Sequence, residues 1–96
     1  MKYLVQLGFS REASPEIVKS LQVPSAKAVW GLYLNSIVRE MYVRGDKRGA
    51  VLIAESPDLE TIKNAINAIP LVQKGQLGGE IVQLNPFSDL AMAFAA

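Results

Sequence analysis

The sequence contains no cysteine and no histidine. The first absence excludes disulfides, iron–sulfur clusters, thiolate nucleophiles and cysteine-based zinc sites. The second excludes a Ser-His-Asp triad and histidine-ligated haem, zinc or non-haem iron. Charge of one sign is also lacking: ten Lys and Arg against nine Asp and Glu leave a net charge of +1. A nucleic-acid binder needs a basic face. The densest basic cluster here, Arg44, Lys47 and Arg48 around Gly45-Asp46, reads as a solvated turn. No run approaches the roughly 18 apolar residues of a membrane span. Met1-Lys2 leads straight into an alternating pattern rather than the apolar stretch of a secretory leader. The expectations are therefore no nucleic-acid or membrane partner, no metal, no cofactor and a cytoplasmic location.

What is present is apolar surface. The chain has 96 residues, of which 50% are hydrophobic. With the seven glycines counted in, the apolar share is about 57%, against a usual 45–50%. Residues 1–96 make one domain at this length. A domain of this size buries only about 64% of its unfolded surface, so the surplus points to burial against a second copy.

The periodicity divides the chain into six elements. Lys2–Phe9 alternates as a strand, with Tyr3, Val5, Leu7 and Phe9 on one side. Ser14-Pro15-Glu16 opens a helix by cap, first-turn proline and favourable charge. Pro24 is expected to break or kink it, with Ser25 as a new cap and helix resuming from Ala26 to Leu34. Ile37–Arg44 and Ala50–Glu55 read as a hairpin about the Gly45–Gly49 turn. Ser56-Pro57-Asp58 caps a second helix from Asp58 to Ala68, with Leu59, Ile62, Ala65, Ile66 and Ile69 as its apolar stripe. Pro70 ends it, Leu71–Gly79 is irregular, and Glu80–Asn85 is a last strand before an apolar tail, residues 87–96. The order β-α-β-β-α-β is the ferredoxin-like arrangement of the α+β class: an antiparallel sheet with both helices on one face.

One sheet face is then left uncovered. Pairing Arg44 with Ala50 places Met41, Val43, Val51 and Ile53 under the helices, beside Tyr3, Val5 and Leu7. The second face receives Leu4, Gln6, Val38, Glu40, Tyr42, Ala50, Leu52 and Ala54. Such a patch marks an interface, and two sheets stacked on it enclose a pocket where Ala50 and Ala54 leave room. Glu40 and Tyr42 are the catalytic candidates. A desolvated carboxylate suits general acid/base work, and a phenol can donate to a developing enolate. Gln6 and Leu52 are candidate substrate contacts on the same face. Trp30 and Tyr33, three apart on the first helix, either pack in the core or roof the pocket and stack on a cyclic ligand. Arg39 and Glu55 pair across the hairpin. The tail with Phe87, Leu90, Met92 and Phe94 is expected to pack on its own subunit or reach across to a partner.

Several runs resemble the muconolactone-isomerase-like family. They are Val29-Trp30-Gly31-Leu32-Tyr33, Ile37-Val38-Arg39-Glu40-Met41-Tyr42-Val43-Arg44, and Asp46 with Gly49-Ala50-Val51-Leu52. Two later runs, Ile69-Pro70-Leu71-Val72-Gln73-Lys74-Gly75 and Val82-Gln83-Leu84-Asn85-Pro86-Phe87, resemble the family's end-of-helix and last-strand motifs. The resemblance covers about residues 28 to 90 and implies a homodimeric α+β barrel of ferredoxin-like subunits, sometimes in higher oligomers, in an uncharacterised subgroup. It departs from the family at Ser25-Ala26, where an acidic residue is implied. The expected function is a small-molecule pocket for a cyclic or aromatic-derived ligand, with isomerase-type proton transfer that uses no metal, His or Cys. The alternatives are a non-catalytic ligand-binding or self-association module and, more weakly, a cofactorless monooxygenase.

Overall fold

In the computed structural model, residues 1–94 are described; residues 95 and 96, the end of the expected tail, lie outside them. Eight elements follow in order: β1 (Lys2–Phe9), α1 (Pro15–Leu34), β2 (Val38–Val43), β3 (Gly49–Glu55), α2 (Leu59–Asn67), α3 (Pro70–Gln73), β4 (Leu77–Leu84) and α4 (Asp89–Ala93). The four strands form one antiparallel sheet in the order β2-β3-β1-β4. This is the expected ferredoxin-like α+β fold.

The core lies between the sheet and the helices. Tyr3, Val5 and Leu7 alternate inward from β1, and Val38, Leu52 and Ala54 join them from β2 and β3. Ile62, Ile66, Ile69 and Leu71 close the layer from α2 and α3. On α1, by contrast, Val18, Leu21, Ala28, Val29 and Leu32 are only partly buried. Its one buried residue is Ser25.

Four expectations need correction. Pro24 does not break the first helix: α1 runs unbroken past it. Pro24 is exposed, so the Ser20 carbonyl it leaves unpaired can be hydrated. Ser25 caps nothing; its Oγ accepts a hydrogen bond from the Leu71 N–H at 3.0 Å, tying α1 to α3. The stretch after Pro70 is not wholly irregular, because Pro70 starts α3 and β4 begins already at Leu77.

The fourth correction concerns the hairpin. Val43, not Arg44, pairs with Ala50. Arg44 N–H donates to the Gly49 carbonyl and Lys47 N–H to the Arg44 carbonyl, both at 2.9 Å. Lys47 takes φ 60°, so the loop is one residue longer than expected. A slip of one residue turns a strand over. Ala50, Leu52 and Ala54 therefore face the helices, and Val51 and Ile53 face outward. Val38 is also buried rather than on the open face. A bulge between Val38 and Glu40 resets β2, so Val38 points inward while Glu40 and Tyr42 still point outward.

Candidate functional site

Two rows of side chains cross the uncovered face. Pairing places Glu40, Ile53, Leu4 and Val82 in one row and Tyr42, Val51, Gln6 and Glu80 in the next. Leu4, Val51 and Ile53 are half-buried, while Gln6, Tyr42, Glu40 and Val82 are exposed. Three of the expected residues, Gln6, Glu40 and Tyr42, thus share this face. Glu40 and Tyr42 are in contact: the Tyr42 hydroxyl donates to Glu40 Oε1 at 2.5 Å. Gln6 stands two strands from Tyr42 in the same row, about 10 Å away at ordinary strand spacing.

The hydrogen bond favours the neutral phenol. Accepting it, and then its negative charge, let Glu40 hold the Tyr42 phenol above its usual range. Tyr42 is therefore a neutral donor near pH 7, and Glu40 is its acceptor.

The cavity lies on the other side of the sheet from these rows. A cleft of about 540 Å³ opens between α1 and strands β1 and β3, with Met41 and Val43 at the β2 edge. Leu52 lies under it together with Leu7 and Ala50, and Ser25, Ala26 and Val29 border it from α1. Its facing walls carry small residues, Ser25 and Ala26 on α1 and Ala50 on β3. Tyr42 also borders it, as does Lys47. Tyr42 is thus the one expected catalytic residue that touches both the cleft and the open face. Leu52 is a lining residue, but from the helix side rather than the open face.

Trp30 and Tyr33 line neither feature. They stack on each other with ring centroids 5.2 Å apart and planes at 19°, on the outer side of α1. Trp30 is 52% exposed, so this pair is neither core nor roof. A second, more open groove of about 460 Å³ lies at the far end of β1, between Gln6, Phe9, Arg11, Arg44, Gly78 and Glu80. Arg44 there is already engaged by Asp46 at 2.7 Å. The Arg48 N–H and then Arg44 hold the Asp46 carboxyl below its usual range, which makes Asp46 a turn residue. Arg39 and Glu55 pair at 3.4 Å, as expected. Among the described residues, no three acidic side chains gather to hold a metal ion.

Sequence reasoning missed Ser25, Ala26, Val29, Met41 and Val43 as cleft residues. The small pair Ser25-Ala26 was the signal, because small residues on a core-facing helix leave space above the sheet.

The chain has a ferredoxin-like α+β fold that is found in solved structures. No protein-family model and no curated protein matches its sequence. Solved structures that share its fold include 5-chloro-2-hydroxyhydroquinone dehydrochlorinase (TftG) from Burkholderia phenoliruptrix AC1100, in complex with 2,5-dihydroxybenzoquinone. The TM-score is 0.69 at 14% identity, over 88% of this chain and 94% of that one. No helix among the described residues is long and apolar enough to cross a membrane.

Proposed function

We propose that this chain is a self-associating small-molecule protein that binds a small cyclic ligand in the α1–β3 cleft and moves a proton on it. The observation that carries this reading is an apolar cleft bordered by Tyr42, whose hydroxyl donates to Glu40 on the open face of the edge strand β2. Pockets of this size and lining suit small organic ligands. TftG, which has the same fold, is an enzyme whose complex holds 2,5-dihydroxybenzoquinone, a ligand of the size and class proposed.

The proton transfer is of isomerase type. A ligand that extends from the cleft past Tyr42 around the edge strand β2 meets the Glu40 carboxylate, which removes a proton from the carbon next to a ligand carbonyl, and the C–H electron pair moves into the ring to leave an enolate oxygen. Protonated Glu40 no longer holds the Tyr42 hydroxyl, which turns to donate to that oxygen. Return of the proton at another carbon gives the isomer, and no co-reactant is needed. A second copy over the open face excludes bulk water from Glu40 and Tyr42 during this exchange.

The test is calorimetric binding and turnover with a panel of hydroxylated quinones and unsaturated lactones. Glu40→Gln is expected to keep binding and lose turnover by about 10²–10⁴-fold. Equal turnover in wild type and variant removes the role of Glu40. A second reading, a non-catalytic self-association module, draws on Glu40 and Tyr42 being satisfied by each other on a face that a second copy would cover. Binding by none of the panel, with self-association intact, favours it.

A further inference from the structure

The groove at the end of the open sheet face gathers charges that the proposed proton transfer does not use. It carries Arg11, Arg44 and Glu80. Among the described residues, neither Arg11 nor Glu80 has an ion-pair partner. The groove shares no charged residue with the α1–β3 cleft, whose charged group is Lys47.

Strand register explains the floor of this groove. The Arg44 N–H donates to the Gly49 carbonyl, Gly49 pairs with Gly8, and Gly8 pairs with Gly78. One row across the sheet thus holds an arginine followed by three glycines. No side chain rises from β3, β1 or β4 in that row, so the Arg44 side chain can lie along it. A Cβ placed on Gly8 would come 3.3 Å from Arg44 Nη1. Arg44 Nη2 is held by the Asp46 carboxylate at 2.7 Å, and Asp46 also accepts from the Arg48 N–H at 3.0 Å. The guanidinium is therefore anchored on its turn side and presents Nη1 above the floor. Past Gly8 the floor is bare: a Cβ on Gly78 would meet no atom within 4 Å.

The neighbouring row brings the opposite charge. Glu80 pairs with Gln6 and stands two residues along β4 from Gly78. Its Cα is about 8 Å from that of Gly8 at ordinary strand spacing. An anion alone on Arg44 would be repelled by that carboxylate. A ligand that also carries a cation is attracted at both ends.

We propose that this groove binds a small zwitterion, with its carboxylate between Arg44 and Arg11 and its ammonium at Glu80 and the Gln6 amide oxygen. The bare floor over Gly8 and Gly78 receives the carbon chain between the two charges. This site is separate from the cleft and does not depend on proton transfer there.

The test is calorimetric titration of the wild-type chain with glycine, β-alanine and 4-aminobutyrate, which space the two charges differently. Each is compared with its N-acetyl form, a carboxylate alone, and its methyl ester, an ammonium alone. At least one free amino acid is expected to bind at millimolar concentration or below, with both blocked forms about tenfold weaker. Arg44→Gln is expected to weaken that binding about tenfold. Glu80→Gln is expected to make the free and N-acetyl forms equal. Gly78→Val fills the floor and is expected to abolish binding with the urea midpoint kept. If Gly78→Val shifts that midpoint, Arg44→Gln and Arg11→Gln decide the location, and unchanged binding in both overturns it. Binding by none of the three amino acids overturns the site. Equal binding of free and N-acetyl forms to wild type overturns the zwitterion.

Discussion

Ser25 shows how much one hydroxyl can matter. It is the only buried residue of α1, and its Oγ is the partner of the buried Leu71 N–H. Removing it strands that donor away from water, so Ser25→Ala is expected to cost about 1–3 kcal/mol, read by urea denaturation. At Leu52, 1% exposed, Leu52→Ala removes core contacts and is expected to cost about 2–5 kcal/mol. That loss also separates the observed register from the expected one, in which Leu52 faces outward. The Tyr42 phenol ionises above its usual range because it donates to Glu40. Its raised value means that the bond supports the fold at pH below the phenol's ordinary range and is lost as pH rises through the raised one. Glu40→Gln is expected to bring the Tyr42 titration back down, measured by phenolate absorbance with Tyr42→Phe as the reference. At this scale the sequence was legible where alternation was regular, as for Tyr3, Val5 and Leu7. It was not legible for Val38, because one bulge in β2 decides which way that side chain points.

At the scale of elements, local chemistry fixes most boundaries. Asp58 caps α2 by accepting from the Thr61 N–H at 2.8 Å. That bond, and then the Thr61 hydroxyl, hold its carboxyl below the usual value of 3.8. A depressed pKa means that the cap contributes above the ordinary carboxylate range and is lost as pH falls through the lowered value. Asp58→Ala is thus expected to melt below wild type at neutral pH, with the difference shrinking on acidification. β4 depends on Gly79: a methyl there would land on the Gln6 carbonyl oxygen. Gly79→Ala is expected to part β1 from β4 and cost more than about 2 kcal/mol, seen as a lower urea midpoint. The strands, helix caps and element order could be read from periodicity and capping residues. The early start of β4 could not, since Gly78 and Gly79 look like loop residues until β1 lies beside them. Pro24 misled for a similar reason. A proline breaks a helix when the freed carbonyl is buried, and exposure cannot be read from the residue alone.

The whole molecule has more surface than a compact chain of its mass. It exposes 6820 Å², about 1,400 Å² above the roughly 5,400 Å² expected at this size. Its radius of gyration of 15.4 Å likewise exceeds the roughly 12.5 Å of a compact domain. A standard interface buries about 800 Å² per partner, so the excess is enough for one. The apolar surplus in the composition is located on the open sheet face, around the cleft edge and in residues 87–94. The central claim, that two copies make one functional unit through the open face, is tested most directly by sedimentation of the wild-type chain at micromolar concentration beside Ile53→Lys, which places a charge in the middle of that face. The expected result is a species of twice the 10.4 kDa chain mass for wild type and a single chain for the variant. A wild-type protein that sediments only as one chain would contradict it.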